Sequence, residues 1–312
     1  MKKDTKTMET AAERGSAARK RVIIWGAGQA GAMMLQWLPH DCEMLCYVDS
    51  SKRKQGTQCM GYPVVSIKEA LDLAPEEVYI AVLNKEAESE LIRQLRDDGF
   101  AGAVVPAGWF RDRQDLRLAA LRLYAEEIKR RHVPGALAEL GVYQGAFAAE
   151  INRVLPARKL YLFDTFAGFD ADDLAIEEKT ADGGRIPVVG AGRQADFSDT
   201  DENCVRNSLP HPQQAVFVKG RFPESLEQMP SICEMHFALV SLDPDLYAPT
   251  KSGLAFFYPR MSPGGAILIH DYNSMQFPGV GRAVREFCSA SGTFLLPLPD
   301  LHGTALLLKS ER

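Results

Sequence analysis

Two glycine-rich turns, each placed directly after a short apolar run, constrain the fold of this chain more than any other feature. The first turn, GAGQAG at residues 26–31, follows the apolar run at 21–25. The second turn, GVYQG at 141–145, follows the run at 136–140. A strand, a tight glycine turn and a helix in succession form the first half of a βαβ unit. We therefore predict an α/β chain with two Rossmann-like domains.

The first turn predicts a small nucleotide-binding domain over residues 21–108. Gly26 allows a tight turn, Gly28 lets the backbone approach a pyrophosphate, and Gly31 lets the helix pack on the strand. The next apolar run ends in Asp49, at the distance from the turn at which an acid meets ribose hydroxyls. The domain is too short for the full six-strand dinucleotide fold. A degenerate unit that serves only for docking or dimerisation is the alternative.

The second turn carries a different pattern. Glu139, Gly141 and Gly145 precede Asp164, which ends the next apolar run along the chain. In such a pattern the glycines bring the backbone against a cofactor, and the acid pairs with both ribose hydroxyls. This arrangement is expected of methyltransferases that use S-adenosylmethionine (SAM). By the pattern alone, a second dinucleotide site fits as well.

Carboxylates close two later strands of the predicted sheet. Asp243 follows the run at 237–242, and Asp271 comes just after the next predicted strand. Asp245 and His270 lie beside them in the sequence. Because ligands bind at the carboxyl ends of parallel strands, these side chains predict a site for a hard cation such as Mg²⁺. Helix capping or a salt bridge within a loop is the structural alternative.

The helix predicted between the two domains spans residues 109–133 and is expected to bridge them. Its apolar face is assigned to residues at helical spacing, namely Leu116, Ala120, Leu123 and Ile128. Residues 134–312 form the second domain. It ends in two apolar runs that predict an antiparallel hairpin.

Two polar stretches are predicted to lie outside the regular elements. Residues 1–20 are charged and lack the apolar stretch of a secretory signal, so a disordered tail is expected. The stretch at 170–200 is expected to be a loop or lid. Ser198 with Asp201 is expected to cap a helix that reaches about residue 209.

Composition excludes several classes of function. A net charge of −5 over 312 residues argues against a protein whose main function is to bind the phosphate backbone of nucleic acids. No apolar run approaches the roughly 18 to 20 residues of a membrane helix. The six cysteines form no CxxC pair, which favours a reduced, cytoplasmic protein. We expect no nucleic-acid or membrane partner, and a homo-oligomer.

Residues 134–310 resemble the macrocin O-methyltransferase family. The resemblance rests on the segments ELGVYQGAFA, LFDTFAGF, DFSDTDENCVRNSL, VKGRFPESL, LVSLDPDLYAPTKSGLAFFYPRMSPGGAILIHDY and GVGRAVREFC, in this order. Members of the family are bacterial SAM- and divalent-metal-dependent enzymes that methylate sugar hydroxyls, among other targets. The resemblance implies a class I SAM methyltransferase sheet with a closing antiparallel hairpin. The first domain is similar to the nucleoside-diphosphate-sugar-binding domains of sugar-modifying enzymes.

The resemblance implies roles for the residues that match the family's motifs. The cofactor-binding residues would be Glu139, Gly141, Tyr143, Gly145, Asp164, Thr165, Gly220 and Phe222. The metal ligands would be Asp243, His270 and Asp271, and the catalytic residues Asp243, Asp245 and His270. The family usually has two acids before the tyrosine, and here a histidine replaces the first. Metal ligand, proton acceptor and bystander are therefore open roles for it, and the metal could be Mg²⁺ or Mn²⁺.

The expected function is SAM- and divalent-metal-dependent O-methylation of a hydroxyl on a sugar-containing small molecule. One rival is an NAD-dependent oxidoreductase that binds its cofactor at Gly26, Gly28, Gly31 and Asp49. The other is a non-catalytic nucleotide-binding scaffold with a decayed methyltransferase domain.

Overall fold

The computed structural model describes residues 19–108, 115–180, 197–274, 276–301 and 303–310. The chain divides into two compact units, Met1–Arg113 and Gln114–Arg312. Nearly all of the tail expected at 1–20 lies outside the described residues. In the part of the chain that is described, no helix has the length and apolar character needed to cross a membrane.

The first unit is a mainly parallel sheet with helices. Its strands are β1 (Lys20–Trp25), β2 (Cys42–Val48), β3 (Gln58–Cys59), β4 (Tyr62–Val65), β5 (Glu77–Ile80) and β6 (Ala103–Pro106). Its helices are α1 (Gln29–Trp37), α2 (Ile67–Asp72) and α3 (Lys85–Asp97). The strand order is β3-β4-β2-β1-β5-β6. The sheet thus has six strands. The short edge strand β3 is antiparallel to β4, and the other five strands run parallel.

The second unit has a seven-stranded sheet. Its strands are β7 (Ala136–Leu140), β8 (Leu160–Asp164), β9 (Ala215–Lys219), β10 (Phe237–Leu242), β11 (Met261–Ile269), β12 (Leu295–Pro297) and β13 (Ala305–Leu308). Its helices are α4 (Leu116–Arg130), α5 (Ala146–Val154), α6 (Ala171–Thr180), α7 (Glu202–Ser208), α8 (Tyr247–Phe257) and α9 (Pro278–Ser291).

The order of the second sheet confirms the expected class I methyltransferase fold. The strands run β12-β13-β11-β10-β7-β8-β9, with β13 antiparallel to β11 and β12 antiparallel to β13. Every residue of β7 and β10 is buried, as expected for central parallel strands covered on both faces. The carboxyl ends of β11, β10, β7, β8 and β9 therefore lie along one edge.

The helix predicted at 109–133 buries Ile128 as expected, but the rest of its buried face differs. The observed helix α4 buries Arg117, Leu121, Ala125 and Ile128, the last three of which belong to a core cluster of the second unit. Leu123 is 73% exposed, so its assignment to the apolar face was wrong. The helix α4 turns an arginine inward where periodicity alone favours an apolar side chain.

The stretch predicted as a loop or lid contains a helix. Residues 171–180 form α6, whose buried positions include Asp173 and Glu177, while residues 181–196 lie outside the described part of the chain. Helix α7 begins at Glu202, and its N-cap is Asp201, whose carboxylate accepts hydrogen bonds from two backbone N–H groups. The predicted capping role of Ser198 was therefore wrong.

Candidate active site

The second glycine turn is shaped by backbone contacts within the unit. Gly141 has a φ of +83°, and a Cβ there would lie 2.1 Å from the backbone oxygen of Asp243. Gly145 has a φ of +81°, and its Cβ would lie 2.8 Å from a methyl group of Val205. Side chains do not fit at either position. The turn and the loop after β10 are thus packed directly against each other.

Asp164 at the end of β8 holds this turn in place. Its Oδ2 accepts hydrogen bonds from the backbone N–H groups of Val142 (2.6 Å) and Tyr143 (3.0 Å). Its Oδ1 accepts one from the N–H of Phe166 at 2.7 Å, and the Thr165 hydroxyl lies 3.5 Å away. No lysine or arginine pairs with Asp164 within the described residues. The side chain of Asp164 therefore has a fixed orientation that backbone donors define.

The segment that precedes α7 folds onto the same turn. The Tyr143 hydroxyl donates to Asp199 at 3.0 Å, and Gln144 donates to the backbone oxygen and the carboxylate of Asp199, both at 3.1 Å. The Thr200 hydroxyl donates to the backbone oxygen of Tyr143. Tyr143 has a φ of +49°, a conformation that a non-glycine residue rarely adopts. These contacts hold it there.

Two residues after β9 were predicted to bind the cofactor. Gly220 follows the strand with a φ of +132°. The ring of Phe222 is buried in the core, stacked on Phe257 and edge-on to Phe163. The Phe222 side chain therefore packs the core, and only its backbone is left to approach an adenine ring.

Four titratable side chains meet where β10 and β11 end. They are Asp243, Asp245, His270 and Asp271, and one potential ligand atom from each lies within 4.8 Å of the others. His270 Nδ1 lies 2.8 Å from Asp243 Oδ1 and 2.9 Å from Asp271 Oδ2. Asp245 and Asp271 adopt φ values of +59° and +58°, which a non-glycine residue rarely adopts. The structure thus brings all four predicted metal and catalytic residues into this acidic cluster.

The side chains of the acidic cluster shift one another's pKa values. Burial alone lowers the pKa of His270, but the adjacent carboxylates of Asp243 and Asp271 raise that pKa to about 10. Burial opposes ionisation of Asp243, but the positive charges of His270 and Arg117 hold its pKa well below the usual range. Burial and the two neighbouring carboxylates raise the pKa of Asp245 well above normal. The imidazolium of His270 is therefore one of the cluster's counter-charges.

Arg117 on α4 is a residue of this site that the sequence interpretation missed. Its Nη1 donates to Asp243 Oδ2 at 3.0 Å, and its Nη2 donates to the Ser241 hydroxyl at 3.1 Å. The guanidinium lies 3.7 Å from the ring centre of Phe147. Only 8% of Arg117 is exposed. The signal that could have found it is a lone arginine at helical spacing with apolar residues, at 117, 121, 125 and 128.

Glu139 lies next to this arginine, near the end of β7. Its neighbour across the strands is Ser241, and it is 2% exposed. Burial raises the pKa of Glu139 to about 8, opposed by the charge of Arg117 and reinforced by that of Asp243. Its Oε2 is buried and has no hydrogen-bond partner within the described residues. Buried oxygens without a partner are rare.

Glu177 on α6 was also missed. Its two carboxylate oxygens accept hydrogen bonds from the backbone N–H groups of Tyr247 (2.6 Å) and Gly279 (3.1 Å). These groups belong to the first turns of α8 and α9. The helices follow the two loops that carry the acidic cluster, so α6 is tied to both.

The first glycine turn has a similar geometry and a different electrostatic balance. A Cβ at Gly31 would lie 1.9 Å from the Gly26 oxygen, and one at Gly28 would have no heavy atom within 4 Å. Asp49 Oδ2 accepts hydrogen bonds from the Ala27 N–H at 3.1 Å and from Lys54 Nζ at 2.9 Å. Lys54 also donates to the Ala27 oxygen. The predicted ribose-binding acid is therefore ion-paired.

Comparison with known families covers both units. Residues 113–305 match the model of the family described as Macrocin-O-methyltransferase (TylF). Residues 18–102 match the model described as C2185-like, N-terminal. The two matches divide the chain close to the boundary between its compact units.

Individual relatives match the second part of the chain. An 8-demethyl-8-(2,3-dimethoxy-alpha-L-rhamnosyl)-tetracenomycin-C 4'-O-methyltransferase of Streptomyces olivaceus is 30% identical over 164 residues, 50% of this chain and 60% of the relative. A demethyldecarbamoylnovobiocin O-methyltransferase of Streptomyces niveus is 29% identical over 182 residues, 55% of this chain. The chain spans 64% of that second relative's length. The solved O-methyltransferase NovP is 23% identical, with a TM-score of 0.47 over 62% of this chain and 79% of NovP.

Proposed function

The chain belongs to the macrocin-O-methyltransferase (TylF) family, and from that premise we propose that its second unit methylates a hydroxyl group of a sugar-containing small molecule, using SAM. One observation carries the proposal. The turn held by Asp164 and the acidic cluster lie at the carboxyl ends of neighbouring strands of one sheet. Open α/β sheets bind their ligands at this edge.

The residues around the second turn fit a SAM molecule. The charge of Asp164 suits ribose hydroxyls, which donate hydrogen bonds to carboxylates. The partnerless Oε2 of Glu139 offers a buried acceptor to the ammonium group of the methionyl part. Gly141 and Gly220 have no side chain to cover the half-buried backbone at the ends of β7 and β9. These features support the assignment of the cofactor-binding residues.

The donor set of the acidic cluster fits a divalent cation. Three buried or half-buried carboxylates lie together with one imidazole, and the raised pKa of Asp245 reflects its burial and the repulsion of its neighbours. Carboxylate oxygens suit Mg²⁺ or Mn²⁺, and an imidazole ligand would favour Mn²⁺ over Mg²⁺. Asp243, His270 and Asp271 would hold the cation, which when bound would lower the pKa of an acceptor hydroxyl. His270 would have to lose its proton to become a ligand.

The chain's own groups would handle the proton released on methylation. The acceptor oxygen forms a bond to the methyl carbon as the carbon–sulfur bond of SAM breaks, and the hydroxyl proton passes to a base. Asp243, Asp245 and His270 are the candidate bases. Among them, Asp243 is held by contacts to Arg117 and His270. Its orientation is fixed before an acceptor arrives.

A sugar-containing acceptor is favoured by the names of the relatives, among them a mycinamicin III 3''-O-methyltransferase of Micromonospora griseorubida. The first unit would contribute by binding a sugar-linked nucleotide at the turn around Gly28, where there is open space. The NAD-dependent alternative is weakened because a cofactor bound at the first turn would leave the second glycine turn and the acidic cluster without a role.

Methyl transfer tests the proposal directly. The purified full-length chain would be incubated with methyl-labelled SAM, Mg²⁺ or Mn²⁺, and a panel of deoxysugar glycosides and nucleoside-diphosphate sugars. We expect label in a hydroxyl of at least one acceptor, with equimolar S-adenosylhomocysteine. Retained SAM binding without transfer to any acceptor would instead support the non-catalytic scaffold.

A further inference from the structure

Arg117 contacts the acidic cluster directly, and the proposed reaction assigns it no role at the cation or the acceptor. The residue lies in the first turn of α4, where the Asp115 carboxylate caps the helix by accepting from the Leu118 N–H at 2.7 Å. The helix is anchored on the core through its buried apolar residues. The guanidinium therefore extends from a fixed position.

The contacts of Arg117 define the orientation of one carboxylate. Nη1 binds Oδ2 of Asp243, while the other oxygen, Oδ1, faces His270. Nη2 binds the hydroxyl of Ser241, which lies just before Asp243 on the same chain segment. The planar guanidinium of Arg117 thus acts as a two-pronged donor, a fork that joins the end of β10 to the first residue after it. Such a fork restricts rotation of the Asp243 side chain in a way that a point charge does not.

The ring of Phe147 restricts the fork itself. The guanidinium carbon lies 3.7 Å from the ring centre, within the range of a cation–π contact. Phe147 belongs to α5, the helix that begins after Gly145. The plane of the guanidinium is therefore set by the element that follows the predicted cofactor turn.

We propose that Arg117 is a positioning residue that turns Oδ1 of Asp243 toward the cation and the acceptor, and withholds Oδ2 from both. This inference rests on the proposed function. Asp243 then serves as a one-oxygen ligand or base with a single orientation. Partners that orient metal ligands typically change metal affinity or activity about 10–100-fold when they are removed.

The rival explanation is that Arg117 only balances buried negative charge. The conservative variant Arg117→Lys separates the two explanations, because it keeps the charge and loses the planar fork. Arg122→Lys is the matched control on the same helix. Its guanidinium pairs with Glu150 at 3.2 Å, with 57% of the Arg122 side chain exposed. Ser241→Ala is a second variant, which removes one acceptor of the fork and leaves the charge of Arg117 in place.

The probe is Mn²⁺ alone, titrated into the full chain and followed by the electron paramagnetic resonance signal of the free ion. We expect Arg117→Lys to weaken Mn²⁺ binding about 10–100-fold. Ser241→Ala should weaken it by a smaller factor, and Arg122→Lys should match the wild type. Thermal unfolding of each variant checks the fold. Because charge is conserved in Arg117→Lys, a weaker affinity reports the geometry of Asp243.

Each alternative outcome has a distinct meaning. Equal Mn²⁺ affinity in wild type, Arg117→Lys and Ser241→Ala would overturn the positioning role and leave the proposed function untouched. A wild type that binds SAM but no Mn²⁺ would overturn both the positioning role and the metal assignment, and would leave the cofactor assignment standing. If Arg117→Lys unfolds, the Ser241→Ala result decides.

Discussion

The two glycine turns of this chain share one hydrogen-bond pattern and differ in one donor. In both, the acid at the end of the second strand accepts a bond from a backbone N–H of the turn and another from an N–H shortly after itself. For Asp49 these donors are Ala27 and Ser51, and for Asp164 they are Val142 and Phe166. A third donor is the Lys54 ammonium in the first unit and the Tyr143 N–H in the second, where the Thr165 hydroxyl adds a longer contact at 3.5 Å.

The acid after the second strand of each unit thus has two separable roles, namely holding the glycine turn and binding a ligand. Holding the turn is common to both units and needs no ligand. Lys54 pairs with the carboxylate of Asp49, whereas Asp164 has no cationic partner within the described residues and is the acid that we propose for binding the cofactor. The spacing between turn and acid therefore predicts the loop architecture better than it predicts the ligand.

The largest expected contrast between the units concerns chemistry. If the second unit alone carries the reaction, Asp243→Asn should lower the rate constant for methyl transfer about 10²- to 10⁴-fold, the range for loss of a general base. Asp49→Asn should leave the rate constant at saturating acceptor unchanged. Single-turnover transfer of labelled methyl measures both. A comparable loss in the two variants would place the first unit in the chemical step.

The next contrast lies in how tightly each turn is packed. Gly141→Ala forces a Cβ to within 2.1 Å of a backbone oxygen at a positive φ, and should lower the free energy of unfolding by about 3 kcal/mol. Gly31→Ala should do the same in the first unit, where the gap is 1.9 Å. Gly28→Ala meets open space and is the matched control. Urea unfolding would measure all three, and equal losses would refute the packing argument.

A smaller effect is expected from the ion pair of the first unit. Lys54→Met should lower the free energy of unfolding by only about 0.5–1 kcal/mol, because the lysine side chain is 43% exposed and solvent screens the ion pair. The pKa of Asp49 is lowered, burial opposing the effect and Lys54 driving it. Its stabilising contribution is therefore complete above the normal carboxyl range and is lost as the pH falls through the lowered pKa. Urea unfolding at neutral and at strongly acidic pH measures this effect. The difference in free energy of unfolding between wild type and Lys54→Met should become smaller in acid.

A pH dependence of the opposite sign is expected from the second unit. Burial raises the pKa of Glu177, opposed by its two backbone N–H donors, so its contribution is complete in acid and declines as the pH rises through that pKa. Glu177→Gln leaves one backbone N–H without an acceptor, which should lower the free energy of unfolding by about 1–3 kcal/mol. The stability difference between wild type and Glu177→Gln should therefore narrow as the pH is raised from mildly acidic to neutral. A difference that widens instead would contradict the raised pKa.

The strands and turns were predictable because their signals are local. The runs at 136–140 and 237–242 form strands with the predicted bounds. A buried parallel strand is apolar along its whole length, so composition alone marks it. The acidic cluster was also predictable, because the carboxyl ends of parallel strands share one edge of the sheet.

The helices that the sequence analysis predicted poorly bury charged side chains at positions where helical periodicity favours apolar residues. Helix α6 turns Asp173 and Glu177 inward, toward Arg221 and two helix N-termini, so its sequence has the pattern of a polar loop. Helix α4 turns Arg117 inward for the same kind of reason, and its predicted face was rotated. Partners for such charges lie far away in sequence, and a local pattern does not contain them.

Of the two acids that hold the glycine turns, we assign cofactor binding to Asp164 and not to Asp49. The direct test is calorimetric titration of SAM into wild type, Asp164→Asn and Asp49→Asn. Since Asn keeps the size of the side chain and loses its charge, we expect a large loss of SAM affinity in Asp164→Asn and wild-type affinity in Asp49→Asn. Equal SAM affinity in Asp164→Asn and wild type would contradict the account, as would a loss confined to Asp49→Asn.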